Sequence, residues 1–247
     1  MTTVDLNCDL GEGFDSDAEL LRVVTSANIA CGLHAGDPAT MLATAKQAVA
    51  GGVAIGAHVG FADRQGFGRR PMAIGPEEIW PLVHYQVGGL AAVVASVGGI
   101  LRYIKPHGAL YHRANHDPRI AEIMVAVALS CSPGLRIVGL ARSALEREAK
   151  RSGCRFSAEG YCDRGYGADG LLLPRHVAGS VISDSRQAVA QALLLVFEGE
   201  VACDGGRIHI GRPDSLCVHG DSPGAVDLAR EVRRHLEANG VVVQSPI

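Results

Sequence analysis

The sequence lacks the signatures of several large protein classes. Its seven cysteines are odd in number and include no CxxC pair, which argues against a disulfide framework and a thiolate zinc site. Lys and Arg total 23 against 26 Asp and Glu, so no basic excess exists to attract nucleic acid. No GxxxxGK[ST] phosphate loop is present, so the usual cradle for ATP is missing.

Two further absences concern membranes and export. The N-terminus has no basic segment followed by an apolar run and a small-residue cleavage site, so we expect a cytoplasmic protein. Residues 79–101 carry no charge, but Pro81, His84 and Gln86 interrupt the run, and membrane spans rarely contain so many polar groups. We therefore predict a buried amphipathic helix there and no membrane partner.

Short β-rich runs alternate with helical patterns along all 247 residues, which is typical of parallel strands joined by crossover helices. The predicted strands are Val4–Asn7, Ala27–Cys31, Ala54–Val59, Tyr103–Lys105, Arg136–Leu140, Arg155–Glu159 and Leu216–His219. The predicted helices are Ala39–Ala50, Ile79–Val97, Arg119–Ser130, Ser143–Arg151, Ser185–Glu198 and Ala225–Ala238. This pattern predicts a single α/β domain, residues 1–247, forming a closed or nearly closed βα barrel with a β-hairpin inserted near residues 201–210. An open, doubly wound sheet is the alternative.

Polar residues cluster just after the predicted strands, where α/β barrels carry their active sites. The candidate residues are Asn7, Asp9, Glu12, His34, His58, Asp63, Lys105, His107, Asp163, Arg164 and His219. Histidines that follow four different strands converge on one mouth if the barrel closes, where imidazoles act as general bases or metal ligands. Joint function of these histidines is therefore the preferred interpretation.

Several of these positions have a structural interpretation as well. Asp37 precedes Pro38 and is as well suited to cap a helix as to bind a ligand. Lys105 ends an apolar strand, where it could hold a substrate carboxylate or an oxyanion, or form an ion pair with Asp9 or Glu159.

A loop and two cysteines leave similar alternatives. Arg69 and Arg70 project from one loop and suit bidentate capture of a carboxylate, or they are solvated surface charges. Cys8 and Cys31 lie near the predicted mouth, but their apolar neighbours favour buried structural thiols over nucleophiles.

Six motifs in order give the sequence a resemblance to a known family. They are DLNCDLGEG, SANIACGLHAGDP, GAHVGFADRQGFGRR, IKPHGALYH, YCDRGYGADGLLLPR and LCVHGDSPGAV. Together they resemble the LamB/YcsF family from Asp5 to about Val226. The resemblance implies a seven-stranded, TIM-like βα barrel of the glycoside hydrolase/deacetylase type.

The resemblance also implies a reaction, the ATP-dependent opening of the cyclic amide 5-oxo-L-proline to L-glutamate. It implies two partners, 5-oxoprolinase subunits B and C, with ATP as a co-substrate activated on the partners and no organic cofactor on this chain. We expect Asp9, His58 or His107 to act as general base and Lys105 to contact the oxyanion or phosphate. The residues expected to bind substrate are Asn7, Glu12, His34, Asp63, Arg69, Arg70, Asp163, Arg164 and His219.

Two other functions fit the same residues. The barrel class includes metal-dependent deacetylases of N-acyl sugars, which hold a divalent ion with an Asp and two His. Asp9, His58 and His107 form such a set here. The second alternative is a noncatalytic subunit that holds the lactam for its partners.

Overall fold

A closed ring of parallel strands forms the centre of the protein in a computed structural model that describes residues 1–221 and 224–246. Within these ranges the ring contains seven strands. They are β1 (Thr3–Leu10), β2 (Ser26–Ala30), β3 (Ala54–Val59), β4 (Leu101–Pro106), β5 (Arg136–Leu140), β6 (Arg155–Tyr161) and, after a separate hairpin, β9 (Ser215–His219). Each matches a predicted strand to within a few residues.

The strands follow one another around the ring in chain order, and the ring closes because β1 pairs with both β2 and β9. The predicted barrel is therefore confirmed, and the open sheet is excluded for the described residues. The register pairs Asp9 with His219 and His58 with Lys105. Since all seven strands run in the same direction, these pairs lie at the same end of the barrel.

Helices surround the ring. They are α1 (Asp17–Leu20), α2 (Pro38–Ala50), α3 (Pro76–Ser96), α4 (Gly108–His116), α5 (Pro118–Cys131), α6 (Ala144–Arg151), α7 (Ser185–Glu198) and α8 (Ala225–Ala238). The N-termini of four predicted helices are fixed by side-chain caps: each cap accepts a hydrogen bond from a backbone N–H of the first turn, and the caps are Asp37, Asp117, Ser143 and Asp184.

The hairpin consists of β7 (Glu200–Cys203) and β8 (Gly206–His209), which pair antiparallel apart from the ring. Three of the described elements were not predicted: α1, α4 and β10 (Val242–Val243). Strand β10 pairs in parallel with the N-terminal end of β1. Helix α4 was missed because it begins at a glycine and carries the polar sequence of a motif, which is typical of a site loop.

Helix α3 has the length and apolar composition of a membrane span. Its fully buried apolar residues follow one face at steps of three or four, as an amphipathic helix requires. They are Ile79, Val83, Val87, Leu90 and Val94. This face packs against the rest of the protein, so the interpretation of a buried helix fits the structure.

Close packing between neighbouring strands gives a stability prediction at Gly56 of β3. A methyl group added there would overlap the ring of Tyr103 on β4, whose hydroxyl donates to Asn28 over 2.6 Å. We expect Gly56→Ala to lower the free energy of unfolding by about 1–3 kcal/mol. Gly88→Ala is the matched control, because a Cβ at that helical position meets no neighbouring element within 4 Å among the described residues. Equal urea midpoints for both variants would contradict this packing.

Candidate active site

The carboxyl ends of the strands surround a cavity of about 430 Å³. Its lining includes Asp9, His58, Arg69, Lys105, His107, Tyr111, Tyr161, Arg164, Arg175 and His219. Seven of these were singled out from the sequence as site residues, namely Asp9, His58, Arg69, Lys105, His107, Arg164 and His219. The closed ring is what brings them together, because they follow different strands.

A buried lysine lies at the floor of this cavity. The Nζ of Lys105 is 2.7 Å from Glu159 Oε1 and 3.1 Å from Asp9 Oδ1, so both ion pairs considered from the sequence are present. It also lies 3.1 Å from the sulfur of Cys217 and 5.3 Å from the ring centroid of Tyr161. Lys105 is only 1% exposed, so these contacts replace its hydration.

The lysine belongs to a continuous hydrogen-bond network inside the barrel. Asn7 donates to Glu159 Oε1 over 3.0 Å and accepts from Asn28 over 2.7 Å. Asn28 also donates to Asp9 Oδ1 over 2.8 Å, and Asn7 donates to Ser215 over 2.6 Å. Asn7, expected to bind substrate, therefore lies in this network rather than on the cavity lining.

The charges in the network set one another's protonation. Burial alone would raise the pKa of Asp9, but His58 and Lys105 outweigh it and hold that pKa well below its usual range. Burial would lower the pKa of Lys105, but Asp9, Cys217 and Glu159 raise it well above normal. Lys105 is thus a permanent ammonium at neutral pH, fixed beneath the cavity.

Three histidines and a glutamate converge beside the lysine. Nε2 of His58 is 2.9 Å from Nδ1 of His107. Glu12 Oε1 lies 3.3 Å from His34 Nε2, 3.6 Å from His107 Nδ1 and 3.8 Å from His58 Nε2. The rings of His34 and His107 stack with centroids 4.0 Å apart. We call Glu12, His34, His58 and His107 the histidine cluster.

Backbone carbonyls orient two of these rings. His58 Nδ1 lies 3.2 Å from the carbonyl oxygen of Lys105, and His107 Nε2 lies 2.8 Å from that of Phe67. Phe67 has a φ of +53°, an uncommon conformation for a bulky residue that clusters at functional sites. The strained loop therefore aims its carbonyl at His107.

Burial governs the electrostatics of the cluster. It lowers the pKa of His34 and of His107 well below the usual imidazole range, and the neighbouring histidines add to the effect. It raises the pKa of Glu12 well above normal, and Asp9 and Asp221 add to that shift. The protein therefore disfavours extra protons on these two rings.

A further histidine, His219 at the end of β9, is held by a carboxylate. His219 Nδ1 lies 2.9 Å from Asp163 Oδ1, and the His219 backbone N–H donates to Asp163 Oδ2 over 2.8 Å. Burial would raise the pKa of Asp163, but His219 lowers it below normal. With Nδ1 committed to Asp163, Nε2 of His219 is the nitrogen left to meet a ligand in the cavity.

Arginines form the rim. Arg69 pairs with Asp221, and its guanidinium lies 4.7 Å from the ring centroid of Phe67. Arg175 Nη1 is 3.6 Å from the same carboxylate of Asp221. Arg164 donates to the carbonyls of Ser180 and Leu173, 2.8 and 2.6 Å away. The rim is thus positively charged, and part of that charge is free to bind an anion.

Some expected residues are not part of the cavity lining. Asp63 and Arg70 pair with each other in the loop after β3, so of the two neighbouring arginines only Arg69 lines the cavity. Asp37 caps α2 by accepting from Thr40 over 2.8 Å. Burial raises the pKa of Cys8 and of Cys31, which fits inert structural thiols.

The site also contains residues that sequence reasoning missed. Arg175 and His176 lie on the cavity lining, but they occur in a long segment with no strand or helix signal. Tyr161 stacks on His219, with centroids 5.5 Å apart. Tyr161 follows the predicted strand Arg155–Glu159 by two residues and opens the motif YCDRGYGADGLLLPR, but it was not named as a site residue.

Two groups of side chains in the site bring together atoms that could bind a metal ion. Ligand atoms of the histidine cluster lie within 4.8 Å of one another, as do those of Asp9, Cys217 and His219. The set expected from the sequence shares His58 and His107 with the cluster but takes Asp9, whose Oδ1 is already bonded to Lys105 and Asn28 and whose Oδ2 lies 3.3 Å from His58 Nε2. Three nitrogens and one oxygen are a donor set that divalent zinc accepts.

Fold and site together define a closed parallel βα-barrel protein with carboxylates and histidines at the carboxyl ends of its strands. The LamB/YcsF family model matches residues 4–247, and the chain belongs to that family.

Named relatives cover almost the whole chain. The A subunit of a 5-oxoprolinase from Brevibacillus brevis is 45% identical over 98% of both chains. The corresponding A subunit from Methylococcus capsulatus is 48% identical over 98% of this chain and 95% of its own. Among solved structures, a lactam utilization protein from Thermus thermophilus shares 42% identity with a TM-score of 0.91, covering 98% of this chain and 99% of its own.

More distant structures share the fold alone. A family 4 carbohydrate esterase from Streptomyces lividans has a TM-score of 0.52 at 10% identity, over 98% of this chain and 91% of its own. The expected relation to deacetylase-type barrels is therefore confirmed at the level of fold.

Proposed function

We propose that this chain is the subunit of an ATP-dependent 5-oxoprolinase that hydrolyses the cyclic amide of 5-oxo-L-proline to give L-glutamate. Relatives named as the A subunit of 5-oxoprolinase, at 45% and 48% identity, support the proposal, as does a lactam utilization protein with a TM-score of 0.91. The cavity of about 430 Å³ suits a small, anionic ring. The whole chain, residues 1–247, acts as one barrel unit in this proposal.

The observation that carries the chemistry is the pair formed by Asp163 and His219. A carboxylate that accepts from Nδ1–H leaves Nε2 as a proton acceptor, which can take a proton from an attacking water and return it to the departing ring nitrogen. The sequence favoured Asp9, His58 or His107 for this role. Geometry favours His219, because His58 and His107 face each other and Asp9 is bonded to Lys105.

Charged groups around the cavity bind the rest of the substrate. Arg69, with Arg164 and Arg175 on the same lining, binds the carboxylate. Lys105 stabilises negative charge that develops on the lactam oxygen or its phosphate, since a fixed ammonium in a dry site needs no reorganisation. The remaining expected binding residues either support these groups, as Asn7 does, or lie outside the lining, as Asp63 and Arg70 do.

ATP enters through the partners in this proposal. A lactam amide is stabilised by resonance, so phosphorylation of its oxygen activates the ring carbon before water attacks. Departure of the protonated ring nitrogen then leaves an acyl phosphate, which a second water hydrolyses to glutamate and phosphate. With no phosphate loop in the sequence, we assign that step to subunits B and C, and we place the complex in the cytoplasm. A metal ion held by Glu12, His34, His58 and His107 would supply Lewis acidity.

Reconstitution tests this function directly. We expect glutamate and phosphate release from 5-oxo-L-proline and ATP only when this chain is mixed with both partner subunits. This chain alone and the two partners alone should each give background rates, because activation and hydrolysis are divided between them. A silent full mixture, or full activity without this chain, would refute the proposal.

The histidine cluster favours one alternative, a metal-dependent deacetylase acting on N-acyl sugars. Three histidines and two acidic groups beside one cavity suit hydrolysis of an acetamide, which needs no ATP. Release of acetate from N-acetylglucosamine oligomers without partners or ATP, and its loss to a chelator, would establish this reaction in place of ring opening.

A further inference from the structure

We propose that Glu12, His34, His58 and His107 form a binding site for one divalent transition-metal cation of the zinc type. The proposal concerns binding and stands independently of the lactam reaction. It also differs from the set of Asp9, His58 and His107 expected from the sequence, because Glu12 and His34 take the place of Asp9.

The first argument comes from the imidazole tautomers. A backbone carbonyl only accepts hydrogen bonds, so Nδ1 of His58 and Nε2 of His107 must each carry a hydrogen to bond Lys105 and Phe67. In a neutral ring the other nitrogen then carries a lone pair. These two lone-pair nitrogens face each other at 2.9 Å, which is repulsive unless a cation lies between or beside them.

The second argument is the distance of the Glu12 carboxylate from the three imidazoles. Zinc–nitrogen and zinc–oxygen bonds of about 2.0–2.2 Å place tetrahedral ligands about 3.3–3.5 Å apart. Glu12 Oε1 lies 3.3 Å from His34 Nε2, 3.6 Å from His107 Nδ1 and 3.8 Å from His58 Nε2. The carboxylate therefore lies within about 0.3 Å of the tetrahedral ligand spacing from three imidazoles, whereas His58 Nε2 and His107 Nδ1, at 2.9 Å, are closer to each other than that spacing.

The contacts of Glu12 and His34 leave both side chains available as metal ligands. The ion pairs of Glu12 Oε1 are with the three imidazoles, whereas Asp9 Oδ1 is taken by Lys105 and Asn28 at 3.1 and 2.8 Å. The other oxygen of Asp9 lies 3.3 Å from His58 Nε2, within reach as an additional oxygen donor. His34 is 1% exposed, and its Nδ1 has no partner among the residues described, so no strong bond holds the ring away from the cluster.

A single shared proton is the competing account. A proton between His58 and His107 would also relieve the repulsion, and Asp9 Oδ2, 3.3 Å from His58 Nε2, would balance the charge of the imidazolium. It would occupy only His58 and His107, and it would leave Glu12 Oε1 and His34 Nε2 to a hydrogen bond of 3.3 Å between them. A divalent cation satisfies all four donors at once.

Metal binding can be measured without any assay of catalysis. The full-length chain is stripped with dipicolinate, dialysed, and titrated with Zn²⁺ by calorimetry at about pH 7.5, where unperturbed imidazoles are mostly neutral, and Co²⁺ is added to a parallel sample. We expect one equivalent of Zn²⁺ per chain and visible absorption bands typical of low-coordinate Co²⁺. Glu12→Gln and His34→Asn should each weaken Zn²⁺ binding more than about tenfold, as lost ligands do.

His112→Asn is the matched control, because His112 lines the same cavity but lies outside the cluster; its affinity should equal that of the unmodified chain. Circular dichroism reports whether each variant folds. If the unmodified, folded chain takes up less than a tenth of an equivalent of Zn²⁺ and Co²⁺, the proposal is overturned and the shared proton stands. Unchanged affinity in both folded ligand variants would overturn it as well.

Discussion

Replacing Lys105 with methionine should both destabilise the barrel and abolish ring opening. The substitution keeps an unbranched side chain as far as Cε but removes the ammonium from between Glu159 and Asp9, 2.7 and 3.1 Å away. Two carboxylates would then stay buried with no cation between them. Breaking a buried ion pair by removing one partner costs about 3–5 kcal/mol, and we expect that loss in urea unfolding.

The same change should lower turnover of the reconstituted complex by at least about 100-fold, the effect of losing one preorganised group that stabilises an oxyanion. Lys46→Met is the control, since Lys46 is exposed on α2 and surface changes stay within about 0.5 kcal/mol. Glu159→Gln added to Lys105→Met should recover part of the stability but none of the activity. Wild-type turnover in the folded single variant would contradict the role of Lys105.

Removing the pair of Asp163 and His219 should stop catalysis while leaving the barrel intact. His219→Asn deletes the proton acceptor, and Asp163→Asn deprives the ring of the carboxylate that fixes its tautomer. Because proton transfer by a positioned side chain contributes about 100-fold to 10,000-fold, we expect kcat of the complex to fall by that factor in each variant. KM for 5-oxo-L-proline should change far less.

The kcat of the double variant shows whether Asp163 and His219 act as a unit or contribute separately. The double variant should be about as slow as the slower single variant, as found for groups that act as a unit. His235→Asn is the control, because His235 lies on the outer helix α8. If the double variant were slower by the product of the two single effects, Asp163 would not act through His219.

The sequence predicted the ring because each strand is buried on both faces and reads as a short apolar run. It also located the histidines, since a polar residue after such a run must lie at the strand end. It could not pair Asp163 with His219, because residues separated by 56 positions carry no sequence signal of contact. Nor could the sequence predict that Arg69 lines the cavity and Arg70 does not. The path of the loop, not its composition, decides that Arg69 pairs with Asp221 and Arg70 with Asp63.

The roles of the site side chains were harder to predict than their positions in the fold. Asp9 was expected beside the histidines as a ligand or base, and it does lie 3.3 Å from His58. The lysine and asparagine that occupy its other oxygen come from other strands, so the competition between them exists only in the closed ring. Glu12 was expected to bind substrate, and its carboxylate instead contacts three histidines. The sequence could not predict this contact, because Glu12 lies in a glycine-rich loop whose path the sequence does not determine.

The charges around Lys105 also constrain how such a barrel can form. Asp9 belongs to β1, Lys105 to β4 and Glu159 to β6, so no contiguous half of the ring contains the complete set. A half-barrel would contain charged side chains without their partners, on the face of the sheet that is buried from water in the closed ring. Dehydration of the interior and closure of the ring must therefore occur together, which couples the first strand to the sixth during folding. By the same reasoning, splitting the gene between β4 and β5 should yield two fragments that acquire native structure only when combined.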